Sequence, residues 1–148
     1  MPGTRDKLTV VTSPADFPLG PGLTNDPFFG GQKPTYKTRF LVFKHNKYLT
    51  VSTGNIAYFY VKYNSSVIVC FDRQEYFVNY SLEKIHSLVS GDQFFRLNRQ
   101  YLINFHSIRE VEHYFARKLL VNLIVPVSDK LLVTKEKTSA FLNWLDNR

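Results

Sequence analysis

The chain has 148 residues, with 19 Lys and Arg against 12 Asp and Glu, a net charge of +7 and a sequence pI near 9.5. That length admits one domain with a sizeable core plus an extension, and the charge favours a polyanionic partner through phosphate neutralisation and counterion release. The single cysteine, Cys70, excludes an intramolecular disulfide and a cysteine-cluster zinc site, and no apolar run reaches the roughly 18 residues of a membrane span.

Residues 1–38 hold six of the seven prolines and five of the seven glycines. The run SPADFPLGPGLTNDPFFGG supports neither helical nor strand periodicity, so this segment reads as a flexible linker or tail. Its net charge is +1, four Lys/Arg against three Asp, which leaves +6 on residues 39–148, fifteen against nine. The basic charge therefore belongs to the segment expected to fold. Phe28 and Phe29 are an apolar pair in the tail without an assigned role. Met1 to Val11 is polar and lacks the apolar core of a secretory leader, so a reducing cytoplasm is the expected compartment.

From Arg39 the pattern is one of short strands. RFLVFKH and KYLTVS flank a tight turn at His45-Asn46. NIAYFYVKY and SVIVCFD flank a turn at Asn64-Ser65, and DRQ at 72–74 precedes EYFVNY. These runs are dense in Tyr, Phe, Val and Ile, which suit a pleated, half-buried surface. Ser81 is placed to cap a helix through LEKIHSLV, with Leu82, Ile85 and Leu88 or Val89 on one face and Gly91 at its end. Tyr101 to Asn104, HSIREVEHYF, KLLVNLIV and KLLV at 130–133 read as further strands, with a turn at Ala116-Arg117 and Pro126 at an edge or outside the ladder. Thr134 is placed to cap a last helix that sets Phe141, Trp144 and Leu145 on one stripe. The expected class is mostly β, a compact multi-sheet domain with a short internal helix and a C-terminal helix.

Residues Phe94 to Asn104, FFRLNRQYLIN, set Arg96, Asn98, Arg99 and Gln100 between two apolar anchors. An ordinary charged loop feeding a buried strand accounts for such a stretch on its own. Together with the upstream turn YNSS, the following IREVEHYFARKLLV and the terminal LLVTKEKTSAFLNWL, however, it resembles the LytTR family of DNA-binding domains across roughly residues 39–147. The resemblance implies that three segments enter successive major grooves on one face of DNA. The first holds Lys62, Asn64, Ser65 and Ser66; the second Arg96, Asn98, Arg99 and Gln100; the third Thr134, Lys135 and Lys137.

The chemistry suits that role. Arg offers two donors to guanine, Asn or Gln matches adenine, and Ser or Thr serves several partners. Asn64, Ser65, Ser66, Asn98, Arg99, Gln100, Thr134 and Lys135 are the expected base or groove contacts, led by Arg99 and Lys135. Lys62, Arg96, Arg117, Lys118 and Lys137 are the expected phosphate contacts, which position the protein without specifying bases. Arg96 follows two aromatics directly and is as well suited to an inward pairing with a carboxylate or carbonyl. The chain departs from the family pattern at Asn98, where His is frequent, at Thr134-Lys135, where Ser-Arg is common, and at Ala116, where Gly is common. The first two bear on the preferred DNA sequence, the third on turn geometry.

Nothing in the sequence favours catalysis. His45, His86, His106 and His113 lack metal-motif spacing, and there is no nucleophile elbow or phosphate-cradling glycine loop. No enzyme activity, metal or cofactor is expected, and Cys70 within VIVCF reads as a buried, inert thiol. The expected partner is double-stranded DNA carrying repeated half-sites, with self-association on that DNA. Nothing in the chain resembles a receiver-type input module, and no membrane association is expected. Two competing readings remain: a protein-interaction β-module and, behind it, a single-stranded nucleic-acid binder that stacks bases on Tyr and Phe.

Overall fold

The computed structural model describes residues 35–147. The expected tail, with Phe28 and Phe29, falls outside these residues except for 35–38, which have no regular secondary structure. Lys37 and Thr38 are already tied to the domain: the Lys37 N–H donates to the Leu88 carbonyl at 2.8 Å, and the Thr38 carbonyl accepts from the Thr53 N–H at 2.9 Å.

Among the described residues, ten strands and two α-helices follow. The strands are β1 (Arg39–Lys44), β2 (Lys47–Ser52), β3 (Ile56–Lys62), β4 (Ser65–Cys70), β5 (Glu75–Val78), β6 (Phe94–Arg96), β7 (Tyr101–Asn104), β8 (Ile108–Tyr114), β9 (Lys118–Leu123) and β10 (Leu131–Val133). Helix α1 spans Leu82–Leu88 and α2 spans Lys135–Asp146. They form a hairpin β1-β2, a three-stranded sheet ordered β10-β9-β8, and a five-stranded sheet ordered β5-β4-β3-β7-β6. All strand pairs are antiparallel. The fold is mostly β, as the sequence pattern and the LytTR resemblance both imply.

The central sheet is buried on both faces, which explains its nearly unbroken apolar strands. Successive side chains of a strand point to opposite faces. Accordingly Tyr58, Val67, Val69, Tyr101 and Ile103 join one core with Leu119, Val121, Leu131, Val133 and Phe141. Phe59, Ile68, Cys70 and Leu102 join the other with Phe40, Val42, Val51, Leu82 and Ile85. The β1-β2 hairpin and α1 thus cover one face, and the three-stranded sheet with α2 covers the other.

Local chemistry sets the boundaries. His45 and Asn46 both have positive φ, 54° and 65°, the two-residue turn whose twist matches the flanking strands. The next hairpin turns at Tyr63 and Asn64, φ 52° and 62°, with Lys62 opposite Ser65. This corrects the expected turn at Asn64-Ser65 by one residue: Asn takes the second left-handed position, and Tyr63 is forced into the first. The Ser81 hydroxyl caps α1 by accepting from the Lys84 N–H at 3.1 Å. Helix α1 ends because Val89 turns extended, while Gly91 lies beyond it, so the expected glycine terminator is replaced by a change of backbone at Val89. Thr134 occupies the cap position of α2 but makes no side-chain capping bond.

Candidate nucleic-acid interface

The loop between β6 and β7 is braced from within and from α2. Arg96 folds back on its own loop, Nε donating to the Asn98 carbonyl at 2.7 Å and Nη2 to the Arg99 carbonyl at 2.9 Å. Asn98 Oδ1 accepts from the Gln100 N–H at 2.8 Å and the Tyr101 N–H at 3.0 Å. The ammonium of Lys137, in the first turn of α2, donates to the Arg96 and Leu97 carbonyls at 3.2 and 3.3 Å. Charged donors make stronger hydrogen bonds than neutral ones, so two cations hold four consecutive carbonyls, residues 96 to 99, in one conformation. Of the two readings of Arg96, the inward pairing with carbonyls is the one observed.

The consequence is a division of labour within the loop. Asn98 has its side-chain oxygen engaged and its amide N–H donors left over, whereas Arg99 and Gln100 are exposed at the tip. Leu97, 1% exposed, anchors the loop in the core. At the far end of the segment Asn104 is buried, donating to the Ile56 carbonyl at 2.8 Å and accepting from the His106 N–H at 2.9 Å. The sequence reading gave Asn104 no such role.

Two other segments border this loop, and a third joins one of them. The Gln100 carbonyl accepts from the Val61 N–H at 3.1 Å, which sets the β3-β4 turn beside it. Lys62, Asn64 and Ser65 are exposed there, but Ser66 is 4% exposed within β4 and is withheld from solvent. Tyr63, which the sequence reading passed over, is 87% exposed at the tip, with the Lys62 ammonium 5.8 Å from its ring centre. The signal for it was the turn register, since Lys-Tyr-Asn-Ser puts Tyr at the crest once Asn takes the second turn position. The start of α2 exposes Thr134 and Lys135 beside the braced loop. Thr138 Oγ1 then reaches the Arg117 carbonyl at 3.4 Å, joining α2 to the β8-β9 turn. Ala116 and Arg117 are both left-handed in that turn, φ 62° and 61°. Arg117 is exposed, and Lys118 is half-buried with its ammonium 6.0 Å from the exposed Phe115 ring.

Lys62, Arg99, Lys135 and Arg117 therefore come from four adjoining segments with their cationic groups uncommitted to the braces described above. A surface of this kind offers charge to phosphate and forked or flexible donors to base edges. His86 on α1 instead feels the two bracing cations: burial and then the Arg96 and Lys137 charges hold its imidazole below its ordinary value of 6.5. Elsewhere, burial pushes the Cys70 thiol up to about 11, with Asp72 adding to the effect. No group of His, Cys, Asp and Glu among the described residues is arranged to hold a metal, and no helix among them is long and apolar enough to cross a membrane.

A model of the LytTr DNA-binding domain family matches residues 37–146. Among solved structures, the chain is similar to the LytTr DNA-binding domain of a Bacillus cereus protein assigned as a methyl-accepting/DNA response regulator. The two are 17% identical with a TM-score of 0.64, over 74% of this chain and 98% of the other, a likeness of fold. No curated protein sequence matches the chain significantly. The family match spans both core clusters and all four adjoining segments, and on that basis the chain belongs to the LytTr family of DNA-binding domains.

Proposed function

We propose that this domain binds double-stranded DNA sequence-specifically as the output module of a bacterial transcription regulator in the cytoplasm. The β6-β7 loop, the β3-β4 turn and the start of α2 read the major groove, and the β8-β9 turn contacts the backbone. The observation that carries this reading is the adjacency of these segments, linked through Val61–Gln100, Lys137–Arg96 and Thr138–Arg117, each bringing an exposed cation. Arg99 leads the base contacts and Lys135 follows; Lys is a compact point charge rather than a planar fork, so its contact discriminates less. Asn64, Ser65, Asn98, Gln100 and Thr134 complete the groove-facing set, and Lys62, Arg117 and Lys118 meet phosphate. Two copies occupy repeated half-sites, and a receiver-type input module supplies the signal.

Selection of bound sites from a random duplex library, using the full chain, tests DNA reading and returns the half-site spacing together. Against the selected site Arg99→Ala should lose roughly 1–3 kcal/mol of discrimination over a scrambled duplex. An unchanged preference in that variant rejects Arg99 as a base reader, and equal capture of single strands rejects duplex recognition.

A further inference from the structure

Between the braced loop and the start of α2 lies a shallow cup of about 320 Å³, lined by Arg96, Leu97, Asn98, Arg99, Thr134 and Lys137. Five of these six residues are polar or charged, yet the surface they show to the cup is mainly apolar. The braces explain this. The polar heads of Arg96 and Lys137 are turned onto main-chain carbonyls, and the Asn98 oxygen is turned onto N–H groups. What such residues leave facing outward is the hydrocarbon of their stems, beside Leu97 and Thr134. An apolar depression inside a cationic surface, with Arg99 on its wall and the exposed Lys135 next to Thr134, calls for a ligand that is anionic overall and locally apolar.

We infer that this cup receives the 5-methyl group of a thymine in the major groove, next to the base pair that Arg99 reads. Among base edges in that groove, thymine alone presents a methyl group; guanine, adenine and cytosine present only donors and acceptors. The inference rests on the duplex-binding reading above and adds a base preference that no polar residue of the site supplies. Its physical source is removal of one methyl from water against hydrocarbon, which corresponds to a factor of about four in affinity.

The test uses the full chain and its selected duplex, with each thymine of a half-site replaced singly by deoxyuridine. That change deletes the methyl and keeps both the pairing and the O4 acceptor. One thymine should lose about fourfold in affinity on this change, and it should lie within about one or two base pairs of the position whose preference Arg99→Ala relaxes. The inference is overturned if no thymine is sensitive to methyl loss, if the sensitive one lies away from the Arg99 position, or if the selected half-site has no thymine there. Those outcomes leave duplex reading intact, because the wild-type chain would still prefer its selected site to a scrambled one. Loss of that preference in the wild type would overturn both.

Discussion

The β6-β7 loop and the β3-β4 turn stand side by side, joined through the Val61 N–H and the Gln100 carbonyl, and they are held by opposite means. The loop is fixed by side chains: Arg96, Asn98 and Lys137 occupy its carbonyls and N–H groups. The turn is shaped by backbone, with Tyr63 and Asn64 in the left-handed region, and the β8-β9 turn repeats that solution with Ala116 and Arg117. A left-handed residue costs about 1–2 kcal/mol unless it is glycine or a short polar residue such as Asn, so the cost falls on Tyr63, Ala116 and Arg117 more than on Asn64. The contrast teaches that one recognition surface can combine a preorganised centre with strained margins, and that mutations act differently on the two.

Cutting the brace should have the largest effect. Lys137→Met removes a charged donor from two half-buried carbonyls, and hydrogen bonds to charged groups contribute about 1.5–3 kcal/mol, so a loss of about 2 kcal/mol in unfolding free energy is expected by denaturant titration. Discrimination should fall as well, while the slope of log affinity against log salt stays at the wild-type value. A flatter slope would show that Lys137 meets phosphate and that the brace is not its role in the complex.

At the margin, replacing Arg117 and Lys118 together with Ala should weaken selected and scrambled duplexes by similar factors. Each lost phosphate contact flattens the salt dependence by about 0.9, so the pair should change it by roughly 1–2. A loss confined to the selected site would make this turn a reader of bases. Relieving the strain there should do the reverse to the fold. Ala116→Gly, at a φ of 62°, should stabilise the domain by about 0.5–1 kcal/mol, net of the extra freedom glycine brings to the unfolded chain. Calorimetry reads it as a higher Tm, and a lower one would mean that the Ala methyl contributes packing.

The smallest effect concerns pH. The His86 imidazole sits below 6.5 because of burial and the charges of Arg96 and Lys137. A depressed folded value means that the unfolded chain binds the proton first. Stability should therefore be full above 6.5, fall as the pH drops below it, and level off once the folded imidazole also protonates. His86→Gln should flatten that part of the stability profile. Lys137→Met should shrink it, since one of the two cations opposing protonation is gone; an unaltered profile in both variants would separate His86 from the brace.

Much of the architecture was legible because it rests on periodicity. The strands β3, β4 and β7, the His45-Asn46 turn and the Ser81 cap follow from residue type and spacing, whereas the burial of both faces of the central sheet, where apolar density alone suggests a half-buried surface, is set by what packs on each side. The β3-β4 turn was displaced by one residue because Asn64 fits either turn position, and only the pairing of Lys62 with Ser65 decides. The site was legible as segments more than as atoms. Polar residue type announces Arg96, Asn98 and Lys137 as available donors, but whether a head group meets solvent or a nearby carbonyl is settled by tertiary placement, here of α2 against the loop. Ser66 illustrates the same point, because one step along a strand reverses the face: Ser65 is exposed and Ser66 is buried.

Trp144 is the only tryptophan in the chain. Its indole N–H donates to the Gly91 carbonyl at 2.7 Å, and its ring lies against Phe95, Phe105 and Phe141, with centroids 5.2 to 5.9 Å apart. Those partners belong to β6, the turn after β7 and α2 itself. The protein thus carries a built-in fluorophore at the seam where its last helix meets the strands flanking the braced loop. Its emission reports the docking of that helix without a label, and a red shift that precedes loss of the far-ultraviolet β signal would reveal α2 leaving the sheet first.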